Sequence, residues 1–419
     1  MTRAQSPSFE LIAPCRKDQC VEILRLFEWA RLLFEKNFQF QASPRRTLIF
    51  VSRSYEFWQR LGPDSRNDGF YANLPARGHI VLRSLTGWQQ TGLHEFAHLW
   101  LRQKMTRHVA WFDEGIACYF EGVRAENGRI EVGLPVPGRL RLLQRERWLP
   151  PEKIFEIRRT SEFTRELDVG LFYSQSWALV HMMRLSPEFS PRFAEFLNLM
   201  AGGTEASEAV LKTHGVSPPQ LLLRARQWID RGGWPAETLE APERAQLEIS
   251  ISPASEAEIE LVETTLAAAR QPAPERARAY EELVARLGAG CPHQLPLGDL
   301  AFNLRLLDQA SRHYHEAIRC GVPAAEIGRG MELAAAEMPS LSERQLQEIE
   351  RLTNDRSLRA NAAAARFLAE DYEGVLSATE DLSNMRRDAA FRASRIRAMA
   401  LIKLERFDEA EILARRLAE

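Results

Sequence analysis

The chain has 419 residues, of which 45% are hydrophobic and 27% are charged, as is typical of a globular protein of two or three domains. Its formal net charge of −2 gives no general attraction to nucleic acid or to an anionic membrane surface, so we expect neither as a partner. No run of about 18 apolar residues occurs, so we expect no integral membrane segment.

The segment before Cys15 lacks the apolar centre, about 7–15 residues long, of a signal peptide. We therefore expect a cytoplasmic chain, or an extracytoplasmic chain whose leader is missing from this sequence. The five cysteines are sparse and contain no Cys-x-x-Cys pair, so they do not indicate a disulfide framework. Reduced thiols are expected, although Cys15 and Cys20 would be able to pair in an oxidising compartment. Cys118 lies in an apolar run and is expected to be a buried packing residue.

The first eighty residues alternate predicted strands and helices. Runs of apolar and β-branched residues predict strands, and apolar positions at helical spacing predict a long amphipathic helix over residues 18–38. The strands are predicted at residues 9–13, 47–51 and 79–82. The last of these directly precedes the next helix, so it is either positioned to pair with an extended peptide by edge addition or is an ordinary strand of the sheet.

Residues 92–101 form a predicted helix that carries a His-Glu-x-x-His motif. His94 and His98 are four residues apart, so both project from one face of the helix and can bind one metal ion. Glu95 lies beside the open side of that metal, where a general base is needed. The alternative is a helix that carries two histidines by chance. A mostly apolar helix, however, does not bury two imidazoles and a carboxylate without a partner.

Glu114 follows His98 by 16 residues, on a second predicted helix. Two histidines and a glutamate with a vacant fourth position form the donor set of catalytic zinc sites. We therefore predict one Zn²⁺ ion bound by His94, His98 and Glu114. The neighbouring Asp113 either orients a ligand histidine through a hydrogen bond or only caps or solvates its helix.

A metal ion bound in this way would lower the pKa of its water from about 15.7 toward about 7. Glu95 would accept the proton as that water attacks a carbonyl carbon, and would then pass it to the leaving amine. Tyr173 is predicted to begin a strongly apolar helix, 59 residues after Glu114. Its phenol either donates a hydrogen bond to the oxyanion in the cleft or makes a structural hydrogen bond in the core.

Composition and periodicity together divide the sequence into three predicted segments. Residues 1–235 form the domain that contains the metal site, with an Asn127-Gly128 hairpin turn and a largely helical second half. Residues 236–275 are rich in Ala, Glu and Pro and are predicted to be a connector with some helix. Residues 276–419 are predicted to be helical throughout.

Similar four-residue frames recur in the last segment, beginning at Leu307, Tyr372 and Phe407. The second and third frames are 35 residues apart, and the first and second are 65 apart, which is about two periods. A period near 34 residues with paired helices is typical of tetratricopeptide repeats, and an unrelated helical bundle is the alternative. Such repeats would bind a protein partner on their concave surface.

The motifs around residues 94–98 and 111–117 resemble those of the gluzincin zinc metallopeptidases. These are thermolysin-like enzymes whose third ligand is a glutamate on the helix that follows the His-Glu-x-x-His helix. The Glu-Gly-x-Ala segment at residues 114–117 and the Tyr-x-Gln-Ser-Trp segment at residues 173–177 are most similar to the bacterial peptidase MA-like group, which often carries tetratricopeptide repeats. The resemblance covers about residues 9–230.

This resemblance implies that His94, His98 and Glu114 are zinc ligands and that Glu95 is the catalytic base. It also implies that Tyr173 stabilises the transition state, as a tyrosine does in the aminopeptidase branch. The chain lacks the Gly-x-Met-x-Asn motif that anchors peptides in that branch, so exopeptidase activity is not implied.

The sequence thus predicts an α+β fold. A thermolysin-like zincin domain, with a small mixed sheet and a helical lobe, is expected to precede an all-α domain of tetratricopeptide-like repeats. The expected activity is that of a zinc-dependent peptidase acting on a peptide or protein substrate. The alternative is a catalytically weak or inactive zincin-fold scaffold that acts through protein–protein interaction of its repeats.

Overall fold

The computed structural model shows a mixed α+β fold with two compact units. One unit comprises Met1–Asn73 with Gly78–Ala254, and the other comprises Leu74–Arg77 with Ser255–Glu419. No helix among the described residues is both long and apolar enough to cross a membrane. The structure describes residues 1–38, 40, 46–61, 68–74, 77–105, 108–126, 129–232, 234–240, 247–268, 273–288, 290–304, 306–322, 327, 347, 356, 358–383, 385 and 387–418.

A mixed six-stranded sheet organises the first unit, in the order β4-β5-β3-β2-β1-β9. Strand β2 is parallel to β3 and β3 is parallel to β5, whereas the outer pairings with β1, β9 and β4 are antiparallel. These strands are β1 (Thr2–Gln5), β2 (Phe9–Ala13), β3 (Thr47–Val51), β4 (Gly69–Asn73), β5 (Gly78–Leu82) and β9 (Ser250–Pro253).

The central strands are buried along their whole length, which explains their continuous apolar sequences. Every residue of β2 and β3 is buried, as expected for parallel strands that are covered on both faces. Strand β5 lies between β3 and β4, so it has no open edge for a peptide, and the edge-addition interpretation of residues 79–82 is wrong. Among the described residues, β4 pairs on one side only and is the strand at that end of the sheet.

Ten helices are described in the first unit, and α1 and α3 pack together beside the sheet. Phe27 and Phe34 of α1 contact Phe96 of α3, with ring centroids 6.4 and 5.1 Å apart. A Cβ atom on Gly92 would lie 2.9 Å from the Phe27 ring, so glycine lets the two helices approach. The helices are α1 (Lys17–Phe38), α2 (Tyr55–Arg60), α3 (Trp88–Lys104), α4 (Ala110–Glu121), α5 (Pro137–Arg145), α6 (Pro151–Phe155), α7 (Glu166–Leu185), α8 (Phe193–Ala201), α9 (Ala206–His214) and α10 (Pro218–Arg231).

Helices α4 and α7 make the most extensive helix–helix contact among the described residues of this unit. A Cβ atom on Gly115 would lie 2.5 Å from the backbone oxygen of Ser176, closer than non-bonded atoms approach. Glycine at this position therefore lets α4 lie against α7. Because Glu114 precedes Gly115 and Tyr173 lies on α7, this contact brings the two predicted site residues to the same region.

Two short strands occur within residues 236–275, the segment predicted to be a connector. Strand β8 (Glu237–Leu239) joins a small sheet with β6 (Arg124–Glu126) and β7 (Arg129–Val132), and β9 joins the large sheet. The predicted turn residues Asn127 and Gly128 lie outside the described residues, but β6 and β7 pair antiparallel as the hairpin prediction requires.

Glu237 attaches the small sheet to the helices of the first unit. Its carboxylate accepts a hydrogen bond from the Tyr119 hydroxyl at 2.7 Å and from Arg184 Nε at 2.9 Å. Both partners are largely buried on α4 and α7. The compact unit accordingly extends to Ala254.

The described residues of the second unit lie mainly in helices, six of which form three similar helix hairpins. The hairpins are α13 (Cys291–Asn303) with α14 (Leu307–Arg319), α15 (Leu358–Leu368) with α16 (Tyr372–Ala378), and α17 (Arg387–Lys403) with α18 (Phe407–Ala418); α11 (Glu256–Ala268) and α12 (Ala273–Leu287) precede them. Three residues separate the two helices of each hairpin. The predicted frames thus coincide with the starts of α14, α16 and α18.

The turns of these hairpins share their backbone hydrogen bonds. The N–H groups of Leu306, Asp371 and Arg406 each donate, at 2.9 Å, to the carbonyl oxygen five residues earlier. Glu370 and Glu405, the preceding residues, both have positive φ, 61° and 59°. A left-handed residue followed by this bond is the usual way of ending a helix.

Four of the five cysteines are disulfide-bonded, so the expectation of reduced thiols is wrong for them. Cys15 bonds Cys20, which lies in the first turn of α1, and Cys291 bonds Cys320. The second pair was not anticipated because the residues are 29 apart in sequence. They meet because an antiparallel hairpin places the start of α13 beside the end of α14. Cys118 is a free, buried thiol, as expected.

Candidate metal centre

A cleft of about 650 Å³ in the first unit is lined by all the site residues predicted from the sequence. Helix α3 contributes the His-Glu-x-x-His residues, and α4 contributes Asp113 and Glu114. Tyr173 reaches the cleft from α7, and β4 forms another part of the wall. The structure therefore brings together side chains that are up to 79 residues apart in sequence, from His94 to Tyr173.

Three donor atoms converge in this cleft. His94 Nε2 lies 3.2 Å from His98 Nε2, and Glu114 Oε2 lies 3.2 and 3.5 Å from these two nitrogens. Donors that share one zinc ion at about 2.0–2.1 Å in tetrahedral geometry lie about 3.3 Å apart. The three atoms therefore have the spacing of one face of a zinc coordination tetrahedron.

Glu114 Oε2 is buried, and no described residue donates a well-aligned hydrogen bond to it. A buried carboxylate oxygen without a partner costs several kcal/mol, and a bound cation removes that cost. The two histidines and the carboxylate therefore fit a divalent metal ion, and this donor set with room for a fourth ligand is that of zinc in catalytic sites.

The ionisable side chains in the cleft shift one another's pKa values. Burial raises the pKa of Glu114, but His98 and His94 outweigh burial and hold that pKa well below its ordinary value. Burial lowers the pKa of His98, and the Glu114 charge reverses this, so the pKa is raised. Glu95 lies in the same cleft, is 5% exposed, and has a raised pKa because of burial.

The other nitrogen of His94 faces a second carboxylate. Nδ1 lies 2.7 Å from Glu121 Oε1, and Arg139 binds the two oxygens of Glu121 through Nε at 2.9 Å and Nη2 at 2.7 Å. A carboxylate at Nδ1 favours the tautomer with its proton on that nitrogen, which leaves the Nε2 lone pair directed at the metal position. Glu121 and Arg139 thus orient His94.

Cys118 lies on the same side of His94 as Glu121. The thiol, His94 and Glu121 form a second group of donors with the spacing of a metal site. Arg139 already supplies the positive charge there, since both Glu121 oxygens bind its guanidinium. Burial, followed by the Glu121 charge, raises the pKa of Cys118, so the sulfur remains a thiol. We therefore interpret Cys118 and Glu121 as residues that support His94, and not as ligands of a second metal ion.

Tyr173 lies beside His94, with ring centroids 6.1 Å apart, and the Arg139 guanidinium lies 5.3 Å from the tyrosine ring. Burial and the Glu114 charge raise its pKa, so the phenol keeps its proton and can donate a hydrogen bond. Helix α7 begins at Glu166, so Tyr173 lies two turns inside the helix and not at its start, as predicted.

Asp113 has a partner that was not predicted. Its Oδ2 lies 2.9 Å from His108 Nδ1, and its Oδ1 has no hydrogen-bond partner among the described residues. The carboxylate therefore contacts His108 and neither of the two motif histidines. His108 also lines the cleft.

Glu121, Arg139 and Cys118 are the residues of the site that the sequence interpretation missed. Glu121 follows Glu114 by seven residues, and Cys118 follows it by four, so all three share one face of α4. That spacing could have identified Cys118 and Glu121 as site residues from the sequence. Arg139 lies on α5 after the hairpin, and its approach to Glu121 depends on a chain path with no local sequence signal.

Comparisons with known proteins give no relative. No family model matches the chain, and neither a curated protein nor a solved structure matches it. The site must therefore be interpreted from its own geometry and chemistry.

Proposed function

We propose that the chain is a zinc-dependent peptidase whose first unit has a thermolysin-like zincin architecture. The observation that carries the proposal is the convergence of His94 Nε2, His98 Nε2 and the buried Glu114 Oε2 within 3.5 Å of one another. Glu95 shares the cleft with this donor set, so a metal-ligand set and a general base occur together.

A zinc ion bound by these residues would polarise the substrate carbonyl and lower the pKa of a water molecule toward about 7. Glu95 accepts the proton released when water attacks the carbonyl carbon and delivers it to the departing amine nitrogen. Tyr173, protonated and beside His94, donates a hydrogen bond to the developing oxyanion. Glu121 holds the His94 ring, and Arg139 holds Glu121.

The substitution Glu95→Gln tests this function. The amide keeps the size of the side chain but accepts no proton, so we expect kcat for a cleaved peptide to fall by about 10²–10⁴-fold. Zinc content should remain that of the wild type, since Glu95 is not a ligand. Hydrolysis at the wild-type rate by zinc-loaded Glu95→Gln protein would contradict the mechanism.

For the second unit we propose tetratricopeptide-like repeats that bind a protein partner. The shared turns of the three helix hairpins support the repeats, and large exposed apolar side chains support the binding role. Residues 391–412 contain five of these, each at least 42% exposed: Phe391, Met399, Ile402, Phe407 and Ile412.

Affinity capture with the full-length chain tests this role. Replacing Ile402 and Ile412 by serine should abolish capture of a partner that the wild type retains. The matched control replaces Leu211 and Leu223, which are similarly exposed in the first unit, by serine. Equal capture by the wild type and the Ile402/Ile412 variant would contradict a role for this surface.

A further inference from the structure

Four arginines line the cleft around the candidate metal centre. Arg139 is paired with Glu121. The side chains of the other three, Arg102, Arg158 and Arg159, are exposed and form no ion pair with a carboxylate of the described residues. Guanidinium groups remain charged at all physiological pH values, so these three are available cations at the cleft.

The carboxylates of the cleft are mostly engaged. Glu114 lies against the two motif histidines, Glu121 against Arg139, and Asp113 against His108. Glu95 is buried, which leaves Asp68 as the exposed carboxylate among the described lining residues. Among the described lining residues, three arginines without an ion pair therefore stand with one exposed carboxylate.

The free arginines stand on two sides of the donor set. Arg102 follows His98 by four residues on α3 and so lies on the same helix face. Arg158 and Arg159 immediately precede Thr160, and all three residues line the cleft together with Tyr173. The backbone of Arg158 and Arg159 is held in place because both N–H groups donate hydrogen bonds to Glu162 Oε1, at 3.0 and 2.8 Å.

We propose that the substrate carries a carboxylate group and that Arg158 and Arg159 bind it on the Tyr173 side of the cleft. This inference rests on the proposed peptidase function and names its substrate class, a peptide with an anionic group near the cleaved bond. Guanidinium binds carboxylate through paired charge-assisted hydrogen bonds, which orient the group as well as attract it. The carboxylate belongs to an Asp or Glu side chain or to the peptide's C-terminus.

Three fluorogenic peptides distinguish these sources. The first has Glu residues around the cleaved bond and an amidated C-terminus, the second replaces each Glu by Gln, and the third is the Gln peptide with a free C-terminus. We measure kcat/KM with the zinc-loaded full-length chain and with an Arg158→Gln/Arg159→Gln variant. The matched control, Arg145→Gln/Arg147→Gln, removes the same charge at exposed arginines outside the cleft.

The wild type and the control should prefer one carboxylate-bearing peptide over the amidated Gln peptide by about tenfold at physiological ionic strength. The Arg158/Arg159 variant should lose that preference and hydrolyse the amidated Gln peptide within about twofold of the wild type. Preference for the first peptide assigns a side-chain carboxylate, and preference for the third assigns the C-terminus. Equal rates for all three peptides, or an unchanged preference in the variant, would overturn the inference.

Binding separates this inference from the proposed function. Fluorescence anisotropy gives the Kd of each peptide for zinc-loaded Glu95→Gln protein, with and without the Arg158/Arg159 substitutions. Suppose that the wild type hydrolyses none of the peptides but that carboxylate-bearing peptides bind about tenfold more tightly, and only when these arginines are present. This result would contradict the peptidase function and support an anionic ligand. Equal Kd values for all three peptides would overturn the proposal of a carboxylate-bearing ligand, whether or not the wild type hydrolyses the peptides.

Discussion

His94 has a defined environment at each of its two ring nitrogens. Nε2 is one of the three convergent donor atoms, and Nδ1 faces Glu121, which Arg139 binds in a bidentate manner. The glutamate and the arginine are both largely buried, with side chains 12% and 19% exposed. A charge pair placed this deep costs desolvation energy, so its contribution lies in fixing the tautomer and orientation of His94.

Glu121→Gln should therefore weaken zinc binding without removing a ligand. The amide cannot provide the negative charge at Nδ1, so we expect the zinc affinity to fall about 10–100-fold. Competition with a chromophoric chelator measures this affinity independently of any activity. Glu152→Gln, at an exposed position of α6, is the control. A Glu121→Gln affinity within about twofold of the wild type would rule out the positioning role.

At the level of single residues, the sequence predicted the donor set because its spacing reports geometry directly. His94 and His98 share a helix face, and Glu114 follows at a spacing that lets the chain turn into a second helix. The partner of Asp113 was not predictable in the same way, because one carboxylate beside a ligand has several possible neighbours. Cys118 was placed correctly in the interior, but its contact with His94 depends on the rotation of α4.

Among the elements, α7 connects the candidate metal centre to the rest of the first unit. Its Tyr173 lines the cleft, and its fully buried His181 lies two turns further on. His181 Nδ1 accepts a hydrogen bond from Trp228 Nε1 at 2.9 Å, and Nε2 lies 3.0 Å from the Pro235 carbonyl oxygen. This arrangement suits the neutral imidazole, with the proton on Nε2.

Acid should therefore destabilise the first unit through His181. Burial lowers its pKa to about 4 in the folded chain, against 6.5 ordinarily, so between these values the unfolded chain binds more protons. We expect this residue alone to lower the free energy of unfolding by about 3 kcal/mol as pH falls from about 7.5 to about 3, with most of the loss between pH 6.5 and 4. At higher pH the contribution is constant.

Urea unfolding followed by tryptophan fluorescence measures this effect. All nine tryptophans lie before residue 255, so the signal reports the first unit. His181→Gln, whose amide can make both hydrogen bonds without titrating, is the comparison. If the two proteins lose the same stability between pH 6.5 and 4, His181 is not the acid-sensitive group.

The elements predicted most accurately from the sequence are those with a long or continuous apolar pattern. Helix α1 was predicted within one residue at its start, and the buried strands β2 and β3 at their bounds, because their apolar patterns are long or continuous. The start of α7 was misplaced, since Glu166 lies before the apolar run. Strands β8 and β9, three and four residues long, are defined by pairing with distant strands, which a local pattern does not contain.

For the whole molecule, the boundary between the two compact units lies at Ala254, whereas the sequence interpretation ended its first domain at residue 235. The added segment supplies β8, β9 and the Glu237 carboxylate. Without it, Arg184 would be a buried cation with no carboxylate partner, and the edge of β1 would be open. An uncompensated buried charge typically costs about 3–5 kcal/mol.

Two truncated chains test this boundary. Residues 1–254 should unfold cooperatively in urea and bind zinc, whereas residues 1–235 should be less stable by at least about 3 kcal/mol or fail to fold. Tryptophan fluorescence follows both, because all nine tryptophans are retained. Equal unfolding midpoints of the two chains would show that the segment is a connector after all.

We claim that His94, His98 and Glu114 bind one zinc ion, and the metal content of the purified chain shows whether they do. Full-length wild type, His98→Ala, Glu114→Ala and Glu95→Gln are reconstituted with zinc, dialysed and analysed by inductively coupled plasma mass spectrometry. We predict about one zinc per chain in the wild type and in Glu95→Gln, and almost none in the two ligand variants. No retained zinc in the wild type, or wild-type zinc content in His98→Ala, would contradict the claim.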